Sequence, residues 1–345
     1  MTTATTEKSN RAGFKWSEYQ GLPSTLCKGC GHDNITRHII QGYFDLGVKP
    51  FNVVKTSGIG CSSKTPAYFI HKGYGINAVH GRMPSIALGA KLANSDLEII
   101  GVSGDGDTAS IGMGQFCHLI RRNLDMVYIV ENNGVYGLTK GQFSATSERG
   151  AKSKGGEENE LPDIDLCALS ITLGGTFVAR GFSNDPKQML TLVKASVAHK
   201  GTSMLDVISP CVTFNNHEGS TKSIHYVMEH DIHLNELGFV SPWEQPTAEV
   251  KPGEAQEIPL PDGSKIVVRG VGHNHDPHDK FAALRVLEEA RKKGEILTGL
   301  IYIAEKEPDF STAMKVVNPK PLTQMNEAEC RPPREAFEKY LASYR

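Results

Sequence analysis

Two short motifs in this chain carry acids and amides at a spacing suited to metal and phosphate chemistry. Gly104-Asp105-Gly106-Asp107 follows one apolar run, and Glu131-Asn132-Asn133-Gly134 follows the next. Magnesium prefers oxygen ligands in near-octahedral geometry and is usually shared between a few protein oxygens and substrate phosphates. Asp105 offers a carboxylate, Asn133 a side-chain carbonyl, and Val135, two residues on, a backbone carbonyl. Gly104 and Gly106 leave room for backbone to approach a diphosphate, and a helix starting there would aim the positive end of its dipole at it. Gly-Asp-Gly alone is a common strand-to-helix turn. Its pairing with Asn-Asn one helix and one strand later points to a magnesium–diphosphate clamp.

A second group of residues is suited to soft metals. Cys27-Lys28-Gly29-Cys30-Gly31-His32 puts two thiols on one turn, Gly60-Cys61-Ser62-Ser63-Lys64 supplies a third, and Pro210-Cys211 a fourth. Four thiolates satisfy either a zinc ion or an iron–sulfur cluster, and the spacing does not separate the two. Cys117, Cys167 and Cys330 lack motif context and read as packing residues. Seven cysteines, an odd number scattered along 345 residues, argue against a disulfide framework.

These motifs need a scaffold. Phe51–Val54, Leu97–Val102, Met126–Val130 and Met204–Ile208 read as strands, and Pro84–Ala93, Met113–Arg122 and Pro186–His199 as helices. That alternation predicts an α/β fold whose mainly parallel sheet is flanked by helices. Such a sheet delivers Asp105 and Asn133 to one edge, beyond the carboxyl ends of its strands, where open α/β sheets bind ligands. Residues 150–160, charged and glycine-rich, predict an exposed loop. The composition changes near Tyr226. Residues 240–261 are rich in Pro and Glu, Lys265–Val271 reads as a strand, Asp279–Lys293 as a helix and Leu300–Ala304 as a strand. The expected division is a cofactor-binding domain at 1–228 and a C-terminal α/β extension at 229–345 that embraces the core or a partner.

With 39% hydrophobic and 22% charged residues, the chain has the composition of a globular protein with a sizeable core. A formal net charge of −2 gives no field to gather nucleic acid or an anionic membrane, so neither partner is expected. No apolar run reaches the ~18–20 residues of a membrane helix, and Met1–Ser9 is polar, without a signal-peptide core. A cytoplasmic location is the expectation.

Gly-Asp-Gly followed about 25 residues later by Asn-Asn resembles the thiamine diphosphate fingerprint. Together with Cys27 to His32, Gly58-Ile59-Gly60-Cys61, His80-Gly81-Arg82, Tyr136-Gly137-Leu138-Thr139-Lys140-Gly141-Gln142 and Pro210-Cys211, it makes residues 20–225 resemble the β subunit of 2-oxoacid:ferredoxin oxidoreductases. The stretch from Gly294 to Tyr302 looks like the longer β subunits associated with 2-oxoglutarate. The resemblance implies a thiamine-diphosphate-binding fold, with Mg2+ on Asp105, Asn133 and Val135 and a [4Fe–4S] cluster on Cys27, Cys30, Cys61 and Cys211. It implies cofactor contacts from Ser57, Gly58, Ile59, Gly60, Cys61, His80, Gly81, Arg82, Gly104, Asp105, Gly106, Asp107, Asn133, Val135, Tyr136, Gly137, Leu138 and Thr139.

The activity implied is oxidative decarboxylation of a 2-oxoacid, by preference 2-oxoglutarate, to an acyl-coenzyme A and carbon dioxide. Electrons pass through the cluster to ferredoxin, and the reaction is open to reversal. Lys64 resembles the family lysine that pairs with the 2-oxoacid carboxylate, and Arg82, His80 and His32 are further polar candidates. No glutamate is placed by sequence to protonate the aminopyrimidine. In this family that acid comes from an α (or fused γα) subunit, so an obligate complex, (αβ)2, is expected. Lys140 departs from the Thr-Gly-Gly-Gln frequent in the family. Two other readings stay open: a non-redox thiamine decarboxylase or carboligase, and a zinc-stabilised, non-catalytic scaffold subunit.

Overall fold

The computed structural model describes residues 7–244, 255–270, 275–304, 307–316 and 320–344. Residues 1–6, which begin the polar N-terminus, lie outside these, as do 245–254 of the Pro- and Glu-rich run and Val271 at the end of an expected strand.

Thirteen strands are present among the described residues: Val53–Ser57 (β1), Tyr74–Asn77 (β2), Glu98–Gly104 (β3), Met126–Asn132 (β4), Val135–Tyr136 (β5), Gln142–Phe143 (β6), Phe177–Phe182 (β7), Thr202–Ile208 (β8), Asp231–His233 (β9), Asn235–Val240 (β10), Gln256–Pro259 (β11), Lys265–Gly270 (β12) and Ile296–Ile303 (β13). Eight form the central sheet in the order β2-β1-β3-β4-β8-β7-β13-β9. All its pairings are parallel except that of β13 with β7. Every residue of β4 and of β8 is buried, as expected of parallel strands covered on both faces.

Alternation along β4 separates two cores. Val127 and Ile129 face helices Gly31–Leu46 (α1) and Pro186–Ala198, through Ile35, Ile39, Met189 and Leu192. Tyr128 and Val130 face the opposite layer, with Met83 and Phe116 on helices Met83–Ala93 and Met113–Arg122, and Leu287 on helix Lys280–Lys293. Continuing that alternation, Glu131 points to the α1 side and Asn132 to the other.

The expected strands and helices are present with boundaries shifted by a few residues. Phe51 and Asn52 belong to a 3-10 turn, and the strand there begins at Val53. Several elements were not anticipated, and three of them build the central sheet or its flank. Helix α1 carries apolar residues through Ile35, Ile39 and Tyr43. Strand β2 is exposed along its whole length, and β7 has Arg180 in its middle. The C-terminal stretch packs onto the core: β13 inserts into the central sheet, burying Leu297, Leu300, Ile301 and Ile303, and the three-stranded sheet β10-β12-β11 adds Ile258, Ile266 and Val268 to the α1-side core. Residues 326–344, by contrast, are exposed throughout, including helix Arg334–Ala342. The 150–160 loop is pinned by a Lys152–Glu158 bridge and by Asn159, whose amide donates to the Ser147 carbonyl at 2.8 Å. Cys167 is buried as a packing residue would be, whereas Cys330 is exposed.

Candidate cofactor and metal site

Because β1, β3, β4 and β8 run parallel and side by side, the loops that follow them meet at one edge. These are Gly58 to Cys61, Asp105 to Asp107, Asn133 to Thr139 and Ser209 to Cys211. A cleft at that edge is lined by Asp105, Asn133 and Val135, by Ile59, Gly60 and Cys61, by Gly104, Gly106 and Asp107, and by Tyr136 to Thr139. His80 and His32 complete it, together with Ser62, which sequence reasoning had passed over.

Asp105 is buried, and its carboxylate is held by three donors. Oδ1 accepts from the Asn133 amide N–H at 3.2 Å, and Oδ2 accepts from Thr146 Oγ1 at 2.9 Å and from the Ser144 hydroxyl. Burial raises its pKa while these donors oppose the rise. Among the described residues no cation pairs with Asp105, so its charge is balanced by hydrogen-bond dipoles until a metal is supplied. Asn133 is set by an Asx turn in which the Val135 N–H donates to Asn133 Oδ1 at 3.0 Å. The segment after Asp105 opens as a π-helix, Gly106–Ile111, and the α-helix starts at Met113. Wide turns of this kind cluster at functional sites. Gly106 is required for a reason internal to the protein, since a Cβ there would lie 2.5 Å from the Tyr136 ring.

Both carboxylate oxygens of Asp107, which also lines the cleft, are taken up by other partners. Its Oδ1 accepts from His80 Nδ1 at 2.7 Å and from the Gly81 N–H at 2.9 Å, and its Oδ2 accepts from Ser103 Oγ at 2.9 Å. A Cβ on Gly58 would sit 1.8 Å from Asp107 Oδ2, so Gly58 serves this carboxylate and lies beneath the cleft rather than lining it. Ser57, likewise buried, bonds Asn77. Lys64 and Arg82, expected near substrate, are exposed and stand outside the cleft lining. Among the described residues no glutamate lines the cleft.

Ser62 Oγ is buried without a hydrogen-bond partner and looks across at Gly104, whose added Cβ would be 3.4 Å away. An orphaned hydroxyl costs ~1–3 kcal/mol unless something polar reaches it. It fits a phosphate oxygen, and the remaining lone pair of Asp105 fits a metal ion.

The four cysteines come together beside this cleft. Cys30 caps α1, with its N–H bonded to the Cys27 carbonyl at 3.0 Å, Cys61 opens a 3-10 turn, and Cys211 follows β8. A Cβ on Gly137 would lie 3.6 Å from both Cys61 and Cys211 Sγ, so this glycine is the shared wall between the sulfurs and the clamp. Burial pushes the Cys30 thiol up to about 12, and burial followed by the Cys211 charge raises Cys61. Such thiols are inert on their own and become thiolates only against a cationic centre. Among the described residues no three His, Cys, Asp or Glu groups are gathered tightly enough to hold a single metal ion.

His32 lies between the two groups, with Nδ1 2.6 Å from Ser209 Oγ. Burial drives its pKa down to about 4, so the ring is neutral at pH 7. Its Nε2 is 3.8 Å from Glu131 Oε2, beyond hydrogen-bond reach, and burial raises Glu131 well above the usual carboxylate range. The uncharged imidazole therefore faces Glu131 without a hydrogen bond between them. Because the unfolded chain protonates His32 near 6.5 and the folded chain only near 4, stability should fall as pH drops through that window. The loss should approach ~3 kcal/mol in cofactor-free protein, and His32→Gln should remove most of it. Denaturant unfolding of both proteins between pH 7 and pH 4 checks this.

Lys140 has φ +81°, in the left-handed region where the family's glycine would sit without strain. Lys140→Gly should raise stability by ~1 kcal/mol by relieving that strain, as read from the urea midpoint. A loss of stability would show that the lysine side chain itself contributes.

Residues 58–207 match a family described as the thiamine pyrophosphate enzyme, C-terminal TPP binding domain. The chain is 34% identical over 254 residues to the 2-oxoglutarate synthase subunit KorB of Methanocaldococcus jannaschii, covering 72% of this chain and 93% of that one. It belongs to the β-subunit family of 2-oxoacid:ferredoxin oxidoreductases. The 2-oxoacid:ferredoxin oxidoreductase subunit beta of Saccharolobus solfataricus is 46% identical over 208 residues, 59% of this chain and 66% of that subunit, just under two thirds of its length. Among solved structures, a 2-oxoglutarate:ferredoxin oxidoreductase from Magnetococcus marinus, with 2-oxoglutarate, coenzyme A and succinyl-CoA bound, superposes with a TM-score of 0.72 at 26% identity, covering 96% of each chain. The family assigns a thiamine diphosphate fold to the sheet edge just described. Among the described residues no helix is long and apolar enough to cross a membrane.

Proposed function

We propose that this chain is the cofactor-bearing half of a 2-oxoglutarate:ferredoxin oxidoreductase, converting 2-oxoglutarate and coenzyme A to succinyl-CoA and carbon dioxide while passing electrons to ferredoxin. The observation that carries the reading is the Gly137 wall, which sets the Asp105–Asn133 clamp and the Cys61–Cys211 sulfurs on its two sides. An electron route from cofactor to cluster needs that adjacency. The names of the M. jannaschii and M. marinus relatives support the choice of 2-oxoacid.

In this reading Asp105, Asn133 and the Val135 carbonyl hold Mg2+, Ser62 and the backbone near Gly104 receive the diphosphate, and Cys27, Cys30, Cys61 and Cys211 hold a [4Fe–4S] cluster. When bound, thiamine diphosphate would supply a nucleophilic carbanion to add to the 2-oxo carbon, and the cluster would accept electrons one at a time. The choice of a cluster over zinc rests on the resemblance of the cysteine motifs to those of the family. His80, fixed through Nδ1 by Asp107, presents its Nε2 for a hydrogen bond to substrate or cofactor. Lys64 and Arg82, at the exposed rim, are suited to the two carboxylates of 2-oxoglutarate.

The cleft lacks a glutamate, and its surroundings carry exposed apolar residues, Val79 at 72% exposure and Leu138 at 54%. An α subunit seated there would supply the missing acid and cover them. Helix Arg334–Ala342, with Phe337, Tyr340 and Leu341 exposed, offers the C-terminal stretch a further grip on that partner, giving (αβ)2 in the cytoplasm. The purified chain alone should not reduce ferredoxin with 2-oxoglutarate, while the complex with its α subunit should, in preference to pyruvate or branched-chain 2-oxoacids. Turnover by the single chain, or a preference for pyruvate, would overturn the corresponding part of the reading.

A further inference from the structure

We propose that Asn132, Thr146 and the Asp206–Arg180 pair form a positioning relay that holds the Asp105 carboxylate in its metal-ready orientation. The inference rests on Asp105 being the metal ligand. It gives the first asparagine of the Asn-Asn motif a role distinct from that of Asn133.

The relay begins in the sheet register. Arg180 on β7 is the direct neighbour of Asp206 on β8, and Asp206 neighbours Val130 on β4, one residue pair before Asn132 on the same face. Arg180 Nε donates to Asp206 Oδ2 at 3.0 Å, and its Nη2 donates to Asp165 Oδ1 at 2.8 Å. Asp206 Oδ1 accepts from Asn132 Nδ2 at 2.9 Å. With its NH2 committed to a buried carboxylate, the Asn132 amide has one orientation open to it, and Oδ1 faces Thr146 Oγ1 at 3.0 Å. Thr146 Oγ1 in turn stands 2.9 Å from Asp105 Oδ2.

The Thr146 hydroxyl carries a single hydrogen and faces two pure acceptors, Asp105 Oδ2 and Asn132 Oδ1, beside Ser144 Oγ at 3.0 Å, which also bonds Asp105 Oδ2. Its oxygen is fixed in place, while its proton has two stable directions. The carboxylate of Asp105 is thus braced before the metal arrives. When the metal withdraws charge from it, the hydroxyl proton can swing to Asn132 without moving a heavy atom. Asp105, Asn132, Thr146 and Asp206 are all buried, at 1–3% exposure. Asn132 and Thr146 also line the polar cavity containing Arg180 and Asp206.

The test uses the complex with its α subunit, stripped of cofactors and titrated with Mn2+ in the presence of thiamine diphosphate, bound Mn2+ being counted by electron paramagnetic resonance. Thr146→Val, which keeps the shape and removes the hydroxyl, should weaken Mn2+ binding by ~10- to 100-fold. Thr146→Ser should stay within about threefold of wild type. The stripped T146V complex should still melt cooperatively, at a modestly lower temperature because Asn132 Oδ1 and Asp105 Oδ2 lose a donor, and binding measured well below that transition separates positioning from unfolding. Asn132→Ala leaves every direct contact to Asp105 in place and should also weaken binding. It decides the question if T146V does not fold. Unchanged Mn2+ affinity in T146V, or in N132A where T146V is unfolded, overturns the relay while leaving the clamp intact. Asp105→Ala serves as the control: if that complex still binds Mn2+, the clamp reading fails first.

Discussion

Asp105→Ala should abolish magnesium-dependent binding of thiamine diphosphate, with an affinity loss beyond the ~10- to 100-fold typical of residues that only support a ligand. The fold should survive. The substitution removes a buried carboxylate whose desolvation is offset only by hydrogen bonds, and it leaves Thr146, Ser144 and the Asn133 N–H without their acceptor. Those two effects oppose each other, each worth ~1–3 kcal/mol per group. Asp105→Asn isolates the charge: an amide oxygen can still accept from Thr146, but a neutral ligand does not compensate a divalent cation. Isothermal titration with thiamine diphosphate at fixed Mg2+, alongside circular dichroism, separates a binding defect from a folding one. Wild-type affinity in folded D105A would remove the clamp.

Cys61→Ser should cost the protein its iron and its brown chromophore, while thiamine diphosphate binding at the clamp persists in weakened form. A serine hydroxyl does not ionise near neutral pH and replaces a soft thiolate poorly. Cys61 is the informative choice, because its backbone also lines the cleft and its sulfur lies against Gly137. Cys117→Ser, in a helix away from that wall, should retain full iron. Anaerobic iron and sulfide analysis of the two variants checks the pair of outcomes. Zinc in wild type at one ion per chain, with no sulfide, would instead revive the scaffold reading.

Sequence spacing foresaw that Asp105 and Asn133 would meet at one sheet edge, because the parts that bring them there are local. Asp105 and Asn133 each end a strand, the two strands are adjacent in the parallel sheet, and the strand ends fix the edge they share. The cysteines were legible for the same reason, as loop residues at the ends of elements. What escaped was set by distant partners. Nothing adjacent to Ser144 or Thr146 announces that their hydroxyls reach Asp105, which is 39 and 41 residues away. Asp107 enters the sequence analysis only as an implied cofactor contact, and nothing in the sequence announces its bonds to His80 and Ser103. Strand β7 was invisible because Arg180 breaks its apolar run, and its burial is made possible by Asp165 and Asp206 from other elements. Strand β13 looked like part of a tail, because only the assembled sheet shows a place for an antiparallel strand beside β7.

The central claim is that the diphosphate clamp and the four-cysteine centre are two sides of one wall at Gly137. Paramagnetic coupling reads that adjacency directly. With Mn2+ in place of Mg2+ and thiamine diphosphate bound, the electron paramagnetic resonance signal of the reduced cluster should broaden and relax faster than in the Mg2+ form, since dipolar coupling acts only at short range. In Asp105→Ala, which lacks the clamp, the effect should vanish. A cluster signal identical in the Mn2+ and Mg2+ complexes, with Mn2+ demonstrably bound, would place the two centres apart and contradict this account.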